Sequence, residues 1–321
     1  MGNDLALVLP YYGRLPNYFG HFLKSLEGKM MDVIFVSDIP VSAHPDNFHV
    51  LKMSLNELRV LAEEKLNTPV VFNSPIRLCD FKPMLGHIFE DHLQKYAYWA
   101  FGDCDVIYGN EFNVLLQEIL QSDYDAISLR KQWSSGAFFA LKNIPKMKVF
   151  YSRCANWREV AALSGKTFVN FDEIGNQKFY RQLEREEMTV EEATHDRDCF
   201  TAALWRATDI RFSHEDRVCE IVPRKTALTM AGGELRYLGK CLPCYHFVLA
   251  KYARCFFCDN RSYKDVGDYL VERTGFYHQG WQIRLRPVIR IWRLSSSFCR
   301  AVCARLGRWR LSAGRGFHAV F

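Results

Sequence analysis

The sequence predicts an α/β fold built on a mixed, mostly parallel sheet flanked by helices, and three stretches carry that prediction. Leu5–Leu9 (LALVL) is a continuous apolar run, the pattern of a strand covered on both faces. Helical spacing at Tyr18, Phe19, Phe22, Leu23 and Leu26 leads to a second apolar run, Val33–Val36, which completes a strand–loop–helix–strand order. A further run, Tyr98–Phe101, ends at Gly102 and opens onto Asp103-Cys104-Asp105.

Composition sets the bounds. With 321 residues, 49% hydrophobic and 14% aromatic, the chain has apolar surface for a sizeable core, which excludes a disordered protein. The net charge of +6 is unevenly spread: from Arg273 onward there are ten Arg and no Asp or Glu, leaving the remainder slightly acidic. An α/β domain over 1–260 and a basic extension over 261–321 are expected. The N-terminus lacks a basic region and no stretch of about 18 apolar residues occurs, so neither an export signal nor a membrane-spanning helix is expected. Eleven Cys are then expected as reduced thiols. Cys241-x-x-Cys244 and Cys255-x-x-Cys258 have a spacing that suits zinc, with buried thiols as the alternative.

Each element has a local reason. Pro10-Tyr11-Tyr12-Gly13 ends the first strand and would lie over a nucleotide; Ser37-Asp38 ends the second. Asp38 is placed to meet a uracil or ribose, or is a turn residue. Phe48–Leu51 is a short third strand. Leu55–Leu66 is a helix capped by Ser54, with Glu57 three residues on as a capping box. Lys82-Pro83 leads into another helix, with Asp80 in position to cap it. In that block Lys82 is a candidate for a phosphate and Asp80 for a ribose hydroxyl; an ion pair of Asp80 with Arg77 or Lys82 is the structural alternative. Val114–Leu120 is an amphipathic helix, Asp125–Leu129 and Ala137–Leu141 are strands, Val149–Ala162 is helical, and the charged run Arg181–Glu192 is a solvated helix.

The chemistry gathers at Asp103 and Asp105. In extended backbone, residues two apart point the same way, so the two carboxylates stand side by side at a strand end. Their repulsion is relieved by a cation, and hard ions such as Mg²⁺ and Mn²⁺ take oxygen ligands. Such a pair at the carboxyl end of an α/β strand suits a metal–diphosphate. Asp105 as a plain turn residue is the alternative.

The ordered block Arg77-Leu78-Cys79-Asp80-Phe81-Lys82-Pro83, then Gly86–Leu93 (GHIFEDHL), then the strand and GDCDVIYGN, resembles a group of bacterial polysaccharide or lipopolysaccharide glycosyltransferases. These have the GT-A fold and a DxD motif, and the resemblance runs from about residue 5 to about 255. It implies a hexosyltransferase that takes a nucleotide sugar, most simply a UDP-hexose, and passes the sugar to a glycan or lipid-linked acceptor. Tyr11, Asp38, Asp80, Lys82, Asp103 and Lys251 would then contact the donor. Asp103, Asp105 and His246 would hold Mn²⁺ or Mg²⁺, because a late His completes the metal site in many GT-A enzymes. Phe171-Asp172-Glu173 matches an FDE-like block, which makes Asp172 or Glu173 the candidate base for the acceptor hydroxyl. Gln132–Gly136, small and aromatic, matches the acceptor side and suits a sugar face, or is a plain hairpin turn.

Two rival functions remain at this stage. A nucleotidyltransferase would want a Gly-rich, basic first loop for the triphosphate, which PYYGRLPNY is not. A catalytically inactive, membrane-associated GT-A-like protein would not be expected to keep Asp103, Asp105 and His246. Beyond the resemblance, winding Val288–Trp309 as a helix puts Val288, Ile291, Trp292, Val302, Leu306 and Trp309 on one face, with Arg290, Arg293, Arg300 and Arg308 opposite or at its flank. This is the pattern of an amphipathic helix lying on an anionic membrane surface. A cytoplasmic enzyme peripheral to the inner face of the plasma membrane is therefore expected, with no nucleic-acid partner.

Overall fold

The structure is a computed structural model. It describes residues 3–165, 168–174, 177–220, 222, 226–252 and 256–278. The strands in chain order are β1 (Leu5–Pro10), β2 (Asp32–Ser37), β3 (Phe48–Lys52), β4 (Tyr98–Gly102), β5 (Val106–Tyr108), β6 (Ala126–Ser128), β7 (Phe138–Lys142) and β8 (Phe212–His214), followed by β9 (Val218–Cys219), β10 (Leu228–Ala231), β11 (Glu234–Tyr237), β12 (Lys240–Cys241), β13 (Cys244–His246), β14 (Tyr269–Glu272) and β15 (Gly275–His278).

Seven strands form the central sheet in the order β3-β2-β1-β4-β7-β6-β8. The first four are mutually parallel, and β7 is antiparallel to both β4 and β6. Alternate residues of each inner strand enter opposite cores. Ala6, Val8, Trp99 and Phe101 pack on one face, and Leu5, Leu7, Tyr98 and Ala100 on the other. Both faces are covered, so the strands read as unbroken apolar runs in the sequence.

Helices α1 (Phe19–Leu26) and α2 (Leu55–Leu66) lie where expected. The predicted capping box is formed: Ser54 Oγ accepts from Glu57 N–H, and Glu57 accepts from Ser54 N–H at 2.7 Å. Such a cap contributes roughly 1 kcal/mol.

Other expectations are corrected by packing. The Arg77 block does not begin a helix at Lys82; it is a 3₁₀ segment, Pro75–Met84, that runs through Pro83 before a short α turn at Leu85–Ile88. The stretch 149–162 breaks into a 3₁₀ turn, Phe150–Arg153, and a helix, Trp157–Ala162. The charged run splits into Gln177–Glu184 and Val190–Ala193, with Glu186 in left-handed backbone between them. The helix placed at 114–120 starts earlier, at Glu111.

Two small sheets complete the described residues. β5, β13 and β9 form one; β12, β11, β10, β14 and β15 form the other. The second was not foreseen. β14 pairs with β10 and β15 with β14, so the fold continues through His278. The predicted helix over 288–309 lies outside the described residues.

Candidate active site

β4 lies beside β1 in the sheet, while the chain leaves β1 toward β2 on its other side. A reversal of strand order like this opens a crevice at the carboxyl ends of the strands. Asp103 and Asp105 follow β4 into that crevice. Tyr11 follows β1, its ring stacked on Phe35 at a centroid distance of 6.2 Å. Burial pushes the Tyr11 hydroxyl pKa up to about 12, with the nearby charges of Lys251 and Asp105 acting in opposite directions.

Strand register brings the distant His to the pair. β13 runs antiparallel to β5 with His246 opposite Val106, and Phe247 N–H donates to the Asp105 carbonyl at 3.1 Å. His246 Nε2 therefore lies 3.5 Å from Asp105 Oδ2. The short helix Val248–Lys251 then carries Lys251 Nζ to 2.6 Å from the same oxygen. On its other nitrogen, His246 Nδ1 faces Glu220 Oε1 at 3.0 Å, and Glu220 pairs with Arg130.

The electrostatics follow from burial and pairing. Burial opposes charge on Asp105, yet His246 and Lys251 hold its carboxyl well below the usual range. Burial likewise opposes charge on His246, but Asp105 and Glu220 lift its pKa to about 10. One ligand atom from each of Asp103, Asp105 and His246 lies within 4.8 Å of the others. Two carboxylates and an imidazole suit Mn²⁺ or Mg²⁺. His246 Nε2 is buried, has no well-formed hydrogen bond among the described residues and faces the Asp105 carboxylate, so an ion bound there would take the place of the proton that the two acids hold on the ring.

Asp103 also belongs to a second cluster. Lys82 Nζ lies 2.9 Å from its carboxylate, donates to the Gly136 carbonyl at 3.0 Å, and is 3.7 Å from Asp172 Oδ2. Burial disfavours the Lys82 ammonium, but Asp103 and Asp172 outweigh it and raise its pKa. Glu173 accepts from Gly136 N–H and from Tyr180 O–H, each at 2.8 Å. Burial raises the pKa of both Asp172 and Glu173; Lys82 opposes the rise at Asp172, and Tyr180 opposes it at Glu173. Gly136 is where these groups meet. A Cβ there would sit 2.9 Å from Glu173 Oε1, 3.2 Å from Lys82 Nζ and 3.4 Å from Asp172 Oδ2.

The structure thus brings together Lys82, Asp103, Asp105, Asp172, Glu173, His246 and Lys251, with Tyr11 at the rim. Asp38 is exposed at the end of β2. Asp80 is placed elsewhere: it has no exposed surface, pairs with Arg77, and accepts from Val169 and Phe171 N–H, each at 3.0 Å. It caps no helix; it holds the 169–171 segment that leads to Asp172. Trp133 is also corrected as a sugar platform, because it is 5% exposed and packs edge-on against Tyr180. Cys241 is exposed on β12, while Cys244 and Cys258 are buried in separate apolar clusters. Among the described residues no metal-type cluster contains a cysteine; Cys255 lies outside them.

Sequence reasoning missed Glu220, Arg130 and Tyr180. Their spacing carries no motif, and they become relevant only through contacts made across the fold.

Comparison with known proteins places residues 7–237 under the model of a family of unknown function, DUF6625. No curated protein matches the chain. Among solved structures, the glycosyltransferase GlyE of Streptococcus pneumoniae TIGR4 is similar at 12% identity, over 66% of this chain and 45% of that one, with a TM-score of 0.32. Its apo form is similar at 11% identity over 82% and 59%, TM-score 0.37. Mouse xyloside xylosyltransferase 1 in its apo form is similar at 9% identity over 77% and 98%, TM-score 0.37. The chain spans about half the length of the pneumococcal protein. All three likenesses are remote.

Proposed function

The chain belongs to the DUF6625 family, whose function is not established, and on the chemistry of its site we propose that it is a metal-dependent glycosyltransferase of GT-A type. It would move a hexose from a nucleotide sugar, a UDP-sugar by the sequence resemblance, to a glycan or lipid-linked acceptor. One observation carries the reading. Asp103 is shared between a metal-type cluster with Asp105 and His246 and a carboxylate–lysine cluster with Lys82, Asp172 and Glu173. A donor-side site and an acceptor-side site thus meet at one residue in the crevice of the sheet.

A bound Mn²⁺ or Mg²⁺ held by Asp103, Asp105 and His246 would supply Lewis-acid stabilisation of the leaving diphosphate. The protein's own groups do the rest. Lys251, paired with Asp105, and Lys82, paired with Asp103, are positive charges placed to offset negative charge that develops on a diphosphate. Tyr11 covers the crevice at the end of β1. Glu173, or Asp172 beside it, takes the proton of the attacking acceptor hydroxyl, and Tyr180 and Gly136 N–H hold the Glu173 carboxylate in place. The basic stretch that follows His278, outside the described residues, would hold the enzyme at an anionic membrane where lipid-linked acceptors reside. Among the described residues no helix is long and apolar enough to cross a membrane.

The test is a panel of nucleotide sugars screened for thermal stabilisation with and without Mn²⁺, followed by hydrolysis and transfer assays. A native-state ligand raises the melting temperature by mass action. One UDP-sugar should stabilise the wild type only when Mn²⁺ is present, and Asp105→Asn should remove that effect while keeping the fold. Asp105→Asn turnover at the wild-type rate in low Mn²⁺ would sink the reading.

A further inference from the structure

A second cluster lies away from this crevice, where the small five-stranded sheet meets α1. His21 on α1 is fully buried, and its Nε2 lies 3.0 Å from Nε2 of His278 at the end of β15. His278 Nε2 is in turn 3.6 Å from Asp259 Oδ1. One ligand atom from each of the three lies within 4.8 Å of the others. We propose that His21, His278 and Asp259 form a zinc site that clamps α1 to the small sheet.

The spacing fits a tetrahedral ion. Zinc bonds of about 2.0–2.1 Å place neighbouring ligand atoms about 3.3–3.4 Å apart. The two observed separations, 3.0 and 3.6 Å, fall on either side of that value. Two imidazoles and a carboxylate leave one position for water, a common zinc donor set.

The surroundings orient the ligands. Cys258 Sγ faces the other nitrogen of His21, Nδ1, at 3.6 Å, the place of the outer partner that fixes a ligating ring. Arg261 Nε donates to Asp259 Oδ2 at 2.8 Å, which turns Oδ1 toward the histidines. Both rings are buried, His21 with no exposed surface, so an ion between them would be shielded from bulk water. Asp259 keeps 26% of its side chain exposed, which gives an ion a route in.

The sequence supports the close approach this needs. Gly20 precedes His21, and a Cβ there would meet the Arg261 carbonyl oxygen at 2.0 Å. Only glycine lets α1 press on the 259–263 segment closely enough to bring His21 against Asp259 and His278. The ligands are up to 257 positions apart in the chain, so the ion would close a long loop between the central sheet and the small one.

The site is independent of the glycosyltransferase reading, and its test is built to keep the two apart. Full-length protein carrying Asp105→Asn, which disables the first cluster, is dialysed against Zn²⁺ alone and its zinc measured. One zinc per chain is expected, with a rise in melting temperature that a chelator reverses. Adding Asp259→Asn or His278→Gln should lower zinc affinity at least tenfold while circular dichroism shows a folded chain. Zinc-edge X-ray absorption of the Asp105→Asn protein needs no further variant and should show two imidazoles, oxygen and no sulfur. No bound zinc, unchanged affinity in both folded double variants, or a sulfur-rich shell from the cysteine pairs would overturn the proposal.

Discussion

Lys251 Nζ sits 2.6 Å from Asp105 Oδ2, a carboxylate with 2% exposure, so a lysine neutralises one of the proposed metal ligands. A divalent ion and this ammonium draw on the same negative charge. Lys251→Met should therefore tighten Mn²⁺ binding to the nucleotide-free protein and weaken binding of a nucleoside diphosphate. A charge-assisted contact is worth roughly 1.5–3 kcal/mol, about ten- to a hundredfold in affinity. Calorimetric titration of Mn²⁺ and of UDP checks both directions. Parallel loss of both affinities would mean that Lys251 is only structural.

Asp80 and Arg77 are paired with no exposure on either side chain. Breaking a buried pair by removing one partner strands the other charge and costs roughly 3–5 kcal/mol. Asp80→Ala should lower the unfolding free energy by about that amount and release the Val169–Phe171 backbone. A variant that melted like the wild type but lost nucleotide affinity would make Asp80 a donor contact.

The Glu173 carboxyl, raised above 4.5 mainly by burial, predicts a pH profile. A base works in its ionised form, so the acid limb of kcat should lie above the ordinary carboxylate range. Tyr180 lowers this pKa by donating to Glu173, so Tyr180→Phe should push the limb further up. Stability runs the other way. A carboxyl that holds its proton more tightly when folded stabilises the protein below about pH 4.5, and that contribution fades as pH rises through the native pKa. A limb that Tyr180→Phe leaves in place would assign the base elsewhere, with Asp172 next to be tested.

The basic extension predicts membrane association. Full-length protein should co-sediment with anionic vesicles, and added salt should weaken the effect. A chain ending after His278 keeps β14 and β15 and should stay in solution while still binding UDP. Equal sedimentation of both forms would place the membrane contact elsewhere or nowhere.

Much of the central sheet is legible locally. LALVL, VIFV and YWAF read as strands because both faces of the sheet are covered and every residue is apolar. Ser54 and Glu57 fix a helix start through bonds within one turn, and Gly102-Asp103-Cys104-Asp105 declares its paired carboxylates by their spacing alone. What needs distant partners stayed hidden. Asp80 looks like a helix cap until the 169–171 backbone arrives to occupy it, and Trp133 looks like a sugar platform until Tyr180 covers it. His246 becomes a neighbour of Asp105 only through the register of β13 on β5, across 141 positions. Glu220, Tyr180 and the His21–Asp259–His278 cluster carry no spacing signal, since their meaning lies in distances that only packing creates. The sequence by itself determined the sheet and the acid pair, because short-range sterics and apolar periodicity act within a few residues. The tertiary structure decided which charges face one another, because burial and Coulomb forces act between groups that the chain brings together from far apart.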